Sequence, residues 1–134
     1  MPPESRLVYF LACDQARTET SNKSLYIGAY GPTLVVEGTF PAVLPSLVLV
    51  GCIQAVRKKE TIKIVVRVPG TDPIEHDQQI TSTSSLDAVT LNVTLSPCVL
   101  PKEGAIEVEY RFSDSTEIRT LNVISRQEYK KRAW

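Results

Sequence analysis

This chain is poor in the ingredients from which reactive or targeted proteins are built, and each shortage excludes a class. Charge of one sign is missing: Lys plus Arg and Asp plus Glu are equal at 15 each. No net field therefore draws the chain to nucleic acid or to an anionic membrane, and neither is expected as a partner. Long apolar runs are missing too. The stretch 7–12 is only six residues long, too short for the apolar core of a secretory signal. Nothing approaches the ~20 apolar residues of a membrane span. Cysteine is scarce and odd in number, with Cys13, Cys52 and Cys98 widely spaced and no Cys-x-x-Cys pair. That pattern fits neither a secreted disulfide framework nor a zinc site. The three thiols read as small buried hydrophobes. A mature, soluble, cytoplasmic protein is expected.

Catalytic ingredients are equally thin. His76 is the single histidine, in Pro73-Ile74-Glu75-His76-Asp77. Neighbours along a strand point to opposite faces, so Glu75, His76 and Asp77 do not converge by themselves. A metal would need ligands from elsewhere, and there is no second imidazole. A cysteine or serine nucleophile would have only His76 as its base, and no Gly-x-Ser-x-Gly elbow or phosphate-binding loop exists. Asp72, Glu75, Asp77, Asp87 and Asp114 are scattered singly, unlike the clustered carboxylates of a calcium site. Asn92-Val93-Thr94 matches a glycosylation sequon but falls inside a strand pattern. No catalytic residue, metal or cofactor is assigned, and an enzyme is not expected.

What is present is alternation. Ile62, Ile64, Val66 and Val68 share one face, with Lys63 and Arg67 on the other. Leu91, Val93 and Leu95 alternate with polar neighbours, as do Ile106, Val108, Tyr110 and Phe112. A period of two builds sheets with one buried and one wet face. Turn signals separate nine segments: 7–13, 23–30, 33–36, 46–56, 61–68, 74–80, 87–95, 105–113 and 116–125. Apolar residues at 43% and charged residues at 22% support a folded chain over a disordered one. The expectation is an all-β, two-layer antiparallel immunoglobulin-like β-sandwich of about eight or nine strands. It occupies residues 1–125, followed by a basic and aromatic tail at 126–134.

Two hairpins are expected. Segments 46–56 and 61–68 join through Arg57-Lys58-Lys59-Glu60. The last two strands turn at Asp114-Ser115, which places Val108 opposite Leu121 and Ile106 opposite Val123. Segment 47–53 is apolar on both faces. Either it is a central strand covered on both sides, or Val48, Val50 and Cys52 form an oligomer face buried by another subunit. Gly51 reads as a bulge or bend.

Cys13-Asp14, the run Lys23-Ser24-Leu25-Tyr26-Ile27-Gly28-Ala29-Tyr30-Gly31 and Phe40-Pro41-Ala42-Val43-Leu44-Pro45 together give the chain a likeness to known proteins. It resembles a family of short, functionally uncharacterised, mostly bacterial proteins. The resemblance implies a β-sandwich and supplies no activity. Asp14, Arg17, Glu19 and Lys23 read as a charged loop between the first two strands, closing turns or forming a recognition loop. Phe40 is placed to plug an open end of the sandwich. Lys130-Lys131-Arg132, with Tyr129 and Trp134, reads as a solvated basic end. The functional expectation is a small non-enzymatic protein-binding or scaffold module that self-associates through a sheet face. The alternative is a small-molecule or carbohydrate-binding sandwich using its end loops. A hydrolase or metal site at His76 ranks third.

Overall fold

The computed structural model describes residues 5–18, 23–54, 59–81 and 88–132. Among them the protein is all-β, with one short helix. The strands are β1 (Arg6–Thr18), β2 (Ser24–Tyr30), β3 (Thr33–Val36), β4 (Ala42–Leu44), β5 (Leu47–Gln54), β6 (Lys59–Arg67), β7 (Ile74–Thr81), β8 (Ala88–Leu95), β9 (Cys98–Leu100), β10 (Gly104–Arg111) and β11 (Thr116–Ser125). Helix α1 (Arg126–Lys131) follows directly. Its first turn is held by Ser125, whose hydroxyl accepts from the Glu128 amide at 3.1 Å.

Sheet A has the order β2-β1-β5-β8 and sheet B the order β3-β11-β10-β6-β7, while β4 and β9 form a separate ribbon. One core draws from both large sheets: Leu7, Ala12, Leu47, Leu49, Ile53 and Leu91 from sheet A meet Leu34, Ile62, Ile64, Val66, Ile106, Val108, Tyr110 and Leu121 from sheet B. These are the alternating apolar rows, and burying them out of water is the main force holding the layers together. Glu117 ties the layers at one end, accepting from the Leu7 amide at 2.6 Å.

Gly51 has a packing reason in place of the expected bulge. A Cβ there would lie 2.5 Å from the Tyr110 hydroxyl, so glycine lets the ring of Tyr110 cross the gap between the sheets. Phe10 meets that ring edge-on at 6.5 Å. The irregular register lies instead in β1, between Leu7 and Tyr9.

Three expectations are corrected. The segments flanking residues 57–60 are not a hairpin: β5 belongs to sheet A and β6 to sheet B, so the connection crosses between layers. Lys59 and Glu60, expected in the turn, are the first two residues of β6, while residues 57 and 58 lie outside the described residues. The β10–β11 hairpin exists, but Ile106 faces Leu121 and Val108 faces Arg119, a slip of two residues from the expected pairing. A slip of two leaves every side chain on its own face. The tight closure, with the Phe112 amide donating to the Ser115 carbonyl at 2.8 Å, fixes the register. Finally, the sheets are not wholly antiparallel. Strand β3 runs parallel to β11, from Thr33 beside Asn122 to Val36 beside Ser125.

Between Phe40-Pro41 and Pro45, residues Ala42–Leu44 form strand β4 against β9. Ala42, Leu44, Cys98 and Leu100 of this ribbon face the core, and half-buried Phe40 packs beside them. Val43 and Val99 are paired on its outer side. No helix among the described residues is long and apolar enough to cross a membrane.

Candidate functional site

The site is built on the first two strands, where the ladder does something a straight ladder cannot. Tyr26 pairs with Ala16, yet its hydroxyl lies 2.7 Å from that of Tyr9 and their rings meet at 6.3 Å. Tyr9 is seven residues before Ala16 on β1, about 23 Å along a straight strand. The β1–β2 hairpin must therefore bend back over the outer face of sheet A.

The bend is local. Residues four apart on a regular strand share a face. Here Ala12 belongs to the main core and Ala16 to a second cluster, and Tyr30 and Tyr26 divide in the same way. Both strands change face at one rung, between Asp14 and Gly28. Gly28 has φ +68°, and a side chain there would fall on the Asp14 carboxyl group. The Tyr30 hydroxyl donates to Asp14 Oδ1 at 2.7 Å and locks the rung. Burial and that carboxylate push the Tyr30 phenol up to about 12.

The folded-back hairpin explains the doubly apolar strand. Val48, Val50 and Cys52 are 5%, 0% and 6% exposed. Val48 and Val50 cluster with Cys13, and Leu11, Ala16 and Tyr26 cover them. The expected oligomer face is thus already covered by the chain itself, and these three residues offer no free surface. Strand β5 is a central strand buried on both sides.

The four expected loop residues are not one site. Asp14 and Arg17 lie within β1, because the strand continues to Thr18. Asp14 is taken up by Tyr30, and Arg17 donates to Gln15 Oε1 at 3.0 Å. Lys23 is exposed just before β2, and Glu19 lies outside the described residues. The sequence reading missed Tyr9, Tyr26 and Tyr30. Glycine between two tyrosines, Tyr26-Ile27-Gly28-Ala29-Tyr30, was the signal that the strand changes face there.

On the far side of the hairpin, Leu25 and Ile27 are each 41% exposed. Their cross-strand partners are Arg17 and Gln15, so aliphatic and polar side chains share one outward surface. A cleft of about 240 Å³ opens where the hairpin meets β11, lined by Phe10, Ala12, Tyr30, Pro32, Thr120 and Leu121. A second, of about 350 Å³, lies between β6 and β7 and is lined mainly by polar residues, including Lys59, Thr61, Gln79 and Thr81.

The outer face of sheet B is of another kind. Glu109 is 8% exposed and pairs with both Arg111 and Arg67, the latter at 3.2 Å. The hydrogen bond from Arg111, then that from Arg67, holds its carboxyl below the usual carboxylate range. Lys63 pairs with Glu75 at 3.4 Å across to β7.

His76 is exposed, 3.3 Å from the Gln78 amide oxygen, while Glu75 turns to Lys63. Among the described residues no group of three or more His, Cys, Asp or Glu side chains is placed to hold a metal. Cys13, Cys52 and Cys98 are buried free thiols. Burial raises the pKa of Cys13 and Cys98, which leaves these thiols less nucleophilic at neutral pH. In the tail, Arg132 pairs with Glu128 at 3.1 Å and Arg126 with Glu37 at 2.5 Å, while Trp134 lies outside the described residues.

The likeness noted in the sequence now has a definite form. The model of a family of unknown function, DUF6941, matches residues 8–123, and the chain belongs to that family. The matched span runs from β1 through β11 and includes the folded-back hairpin. A search of the curated proteins finds no match.

Proposed function

We propose that this is a non-enzymatic protein-binding module that docks a partner protein on the outward surface of its folded-back hairpin. The observation that carries this reading is the pair Leu25 and Ile27, two residues apart on one strand face and each 41% exposed. Exposed aliphatic groups gain free energy when a partner covers them, and Arg17 and Lys23 supply a polar rim. The underside of the hairpin is anchored through Tyr26, so the surface is presented on a rigid support, which limits the ordering cost of binding. Buried free thiols suit a reducing compartment, the cytoplasm.

Affinity capture from the source cells, comparing wild type with a Leu25→Asp, Ile27→Asp double variant, tests the reading. Loss of the captured partner with an unchanged thermal midpoint is expected. Equal capture by both proteins overturns it.

A second reading has its own observation. The cleft beside Phe10, Tyr30 and Thr120 has two aromatic walls and the Thr120 hydroxyl, the Tyr30 hydroxyl being turned to Asp14, a lining suited to a small apolar ligand. A thermal-shift screen with aromatic small molecules and sugars checks it. A midpoint rise that Thr120→Val abolishes supports it; no shift with any compound removes it.

A further inference from the structure

The edges of the two large sheets are protected very unequally. An edge strand offers unpaired N–H and C=O groups to any other chain, and proteins blunt that hazard with charge, proline, bulges or short length. Strand β7, one edge of sheet B, carries Glu75, His76 and Asp77. Strand β3, the other edge, is four residues long. On sheet A, β2 is interrupted by Gly28 at φ +68°. Strand β8 has none of these devices. It reads Ala-Val-Thr-Leu-Asn-Val-Thr-Leu from Ala88 to Leu95, eight residues without a charge, proline or glycine. Its one ladder partner among the described residues is β5.

The side chains of β8 are as incomplete as its backbone. Val89, Val93 and Leu95 pack on the core but remain partly exposed, a row of apolar groups at the rim of the sandwich. Asn92 and Thr94 are exposed on the opposite face, with Thr90 half-buried beside them. A second strand laid alongside would complete both the hydrogen bonding and the apolar row.

We infer that β8 pairs antiparallel with β8 of a second copy, about a two-fold axis at Asn92, so that two four-stranded sheets become one of eight. Two-fold pairing requires a strand complementary to itself. With Asn92 opposite its own counterpart, Thr90 faces Thr94 on the outer side. On the core side Val89 faces Leu95 and Leu91 faces Val93. Every rung then matches polar with polar or apolar with apolar, with no like charges opposed. The pairing uses the open backbone edge of β8, whereas the proposed partner surface is the outward face of the hairpin at Leu25 and Ile27, so the two readings rest on different residues.

Sedimentation equilibrium from low micromolar to several hundred micromolar tests the inference. Wild type is expected to form a dimer. A Thr90→Lys, Thr94→Lys double variant sets lysine opposite lysine on two rungs and is expected to weaken dimerisation at least tenfold. A Thr90→Lys, Thr94→Glu double variant sets opposite charges on the same rungs and is expected to restore it. Amide exchange on the wild type gives a readout that needs no variant: protection along β8 is expected to rise with concentration, and that along β7 to stay constant. A wild type that remains monomeric, a dimer indifferent to the lysine pair, failure of the lysine–glutamate pair to recover association, or β8 exchange independent of concentration would each overturn the proposal.

Discussion

The outer faces of the two sheets meet water by opposite strategies. Sheet A is apolar on its outer side at β5, and the chain folds its own hairpin over Val48 and Val50 to keep them dry. Sheet B dresses its outer face with paired charges around Glu109, which is buried there beside Val65. The first arrangement holds by excluding water and the second by being compatible with it. A fold of this size can use either, but the two fail differently when disturbed.

The largest difference is expected from a buried charge. Val50→Asp places a carboxylate at a position with no exposure and no cation among the residues clustered there. An uncompensated buried charge costs about 3–5 kcal/mol, so urea unfolding is expected to show loss of most of the stability. A loss under ~1 kcal/mol would mean that the hairpin does not seal the face. Removing the cover is next. Tyr26→Ala deletes a half-buried ring and its bond to Tyr9, at about 2 kcal/mol. Faster amide exchange at Val48 and Val50, with sheet B unchanged, is the expected signature. If those amides stay as protected as before, something other than Tyr26 covers them.

The smallest effect belongs to the charged face and carries a pH signature. Glu109 is held below its ordinary pKa by Arg111 and Arg67, so its ionised form is favoured in the folded state. That contribution is complete above the usual carboxylate pKa of ~4.3 and is lost as pH falls through the lower folded value. Glu109→Gln is expected to cost about 1 kcal/mol at pH 7, since both arginines are partly solvated, and progressively less in acid. A cost that persists unchanged to pH 2 would assign Glu109 a packing role in place of an electrostatic one.

Much of this was legible in the sequence, for reasons that also mark where legibility stopped. Period-two alternation found strands such as β3 and β11 at their full bounds and placed Ile62, Ile64, Ile106 and Val108 in the core. It said nothing about which strand lies beside which, because alternation is a property of one strand and pairing a property of two. The connection through residues 57–60 was therefore mistaken for a hairpin. Strands β4 and β9, three residues each and each flanked by proline, are too short for a period to register. The doubly apolar β5 announced that something covers it, but composition could not distinguish another subunit from the chain's own hairpin. The deciding feature was a single glycine with positive φ, and its effect is visible only once Tyr26 and Tyr30 are seen on opposite faces.

The parallel union of β3 with β11 also sets an order of events during synthesis. Glu37, just past β3, meets Arg126 across 89 residues of sequence. At ~5–20 residues per second a ribosome needs roughly 4–18 seconds to supply the missing side. Throughout that interval Leu34 and Val36 wait without their final neighbours, Val123 and Ser125.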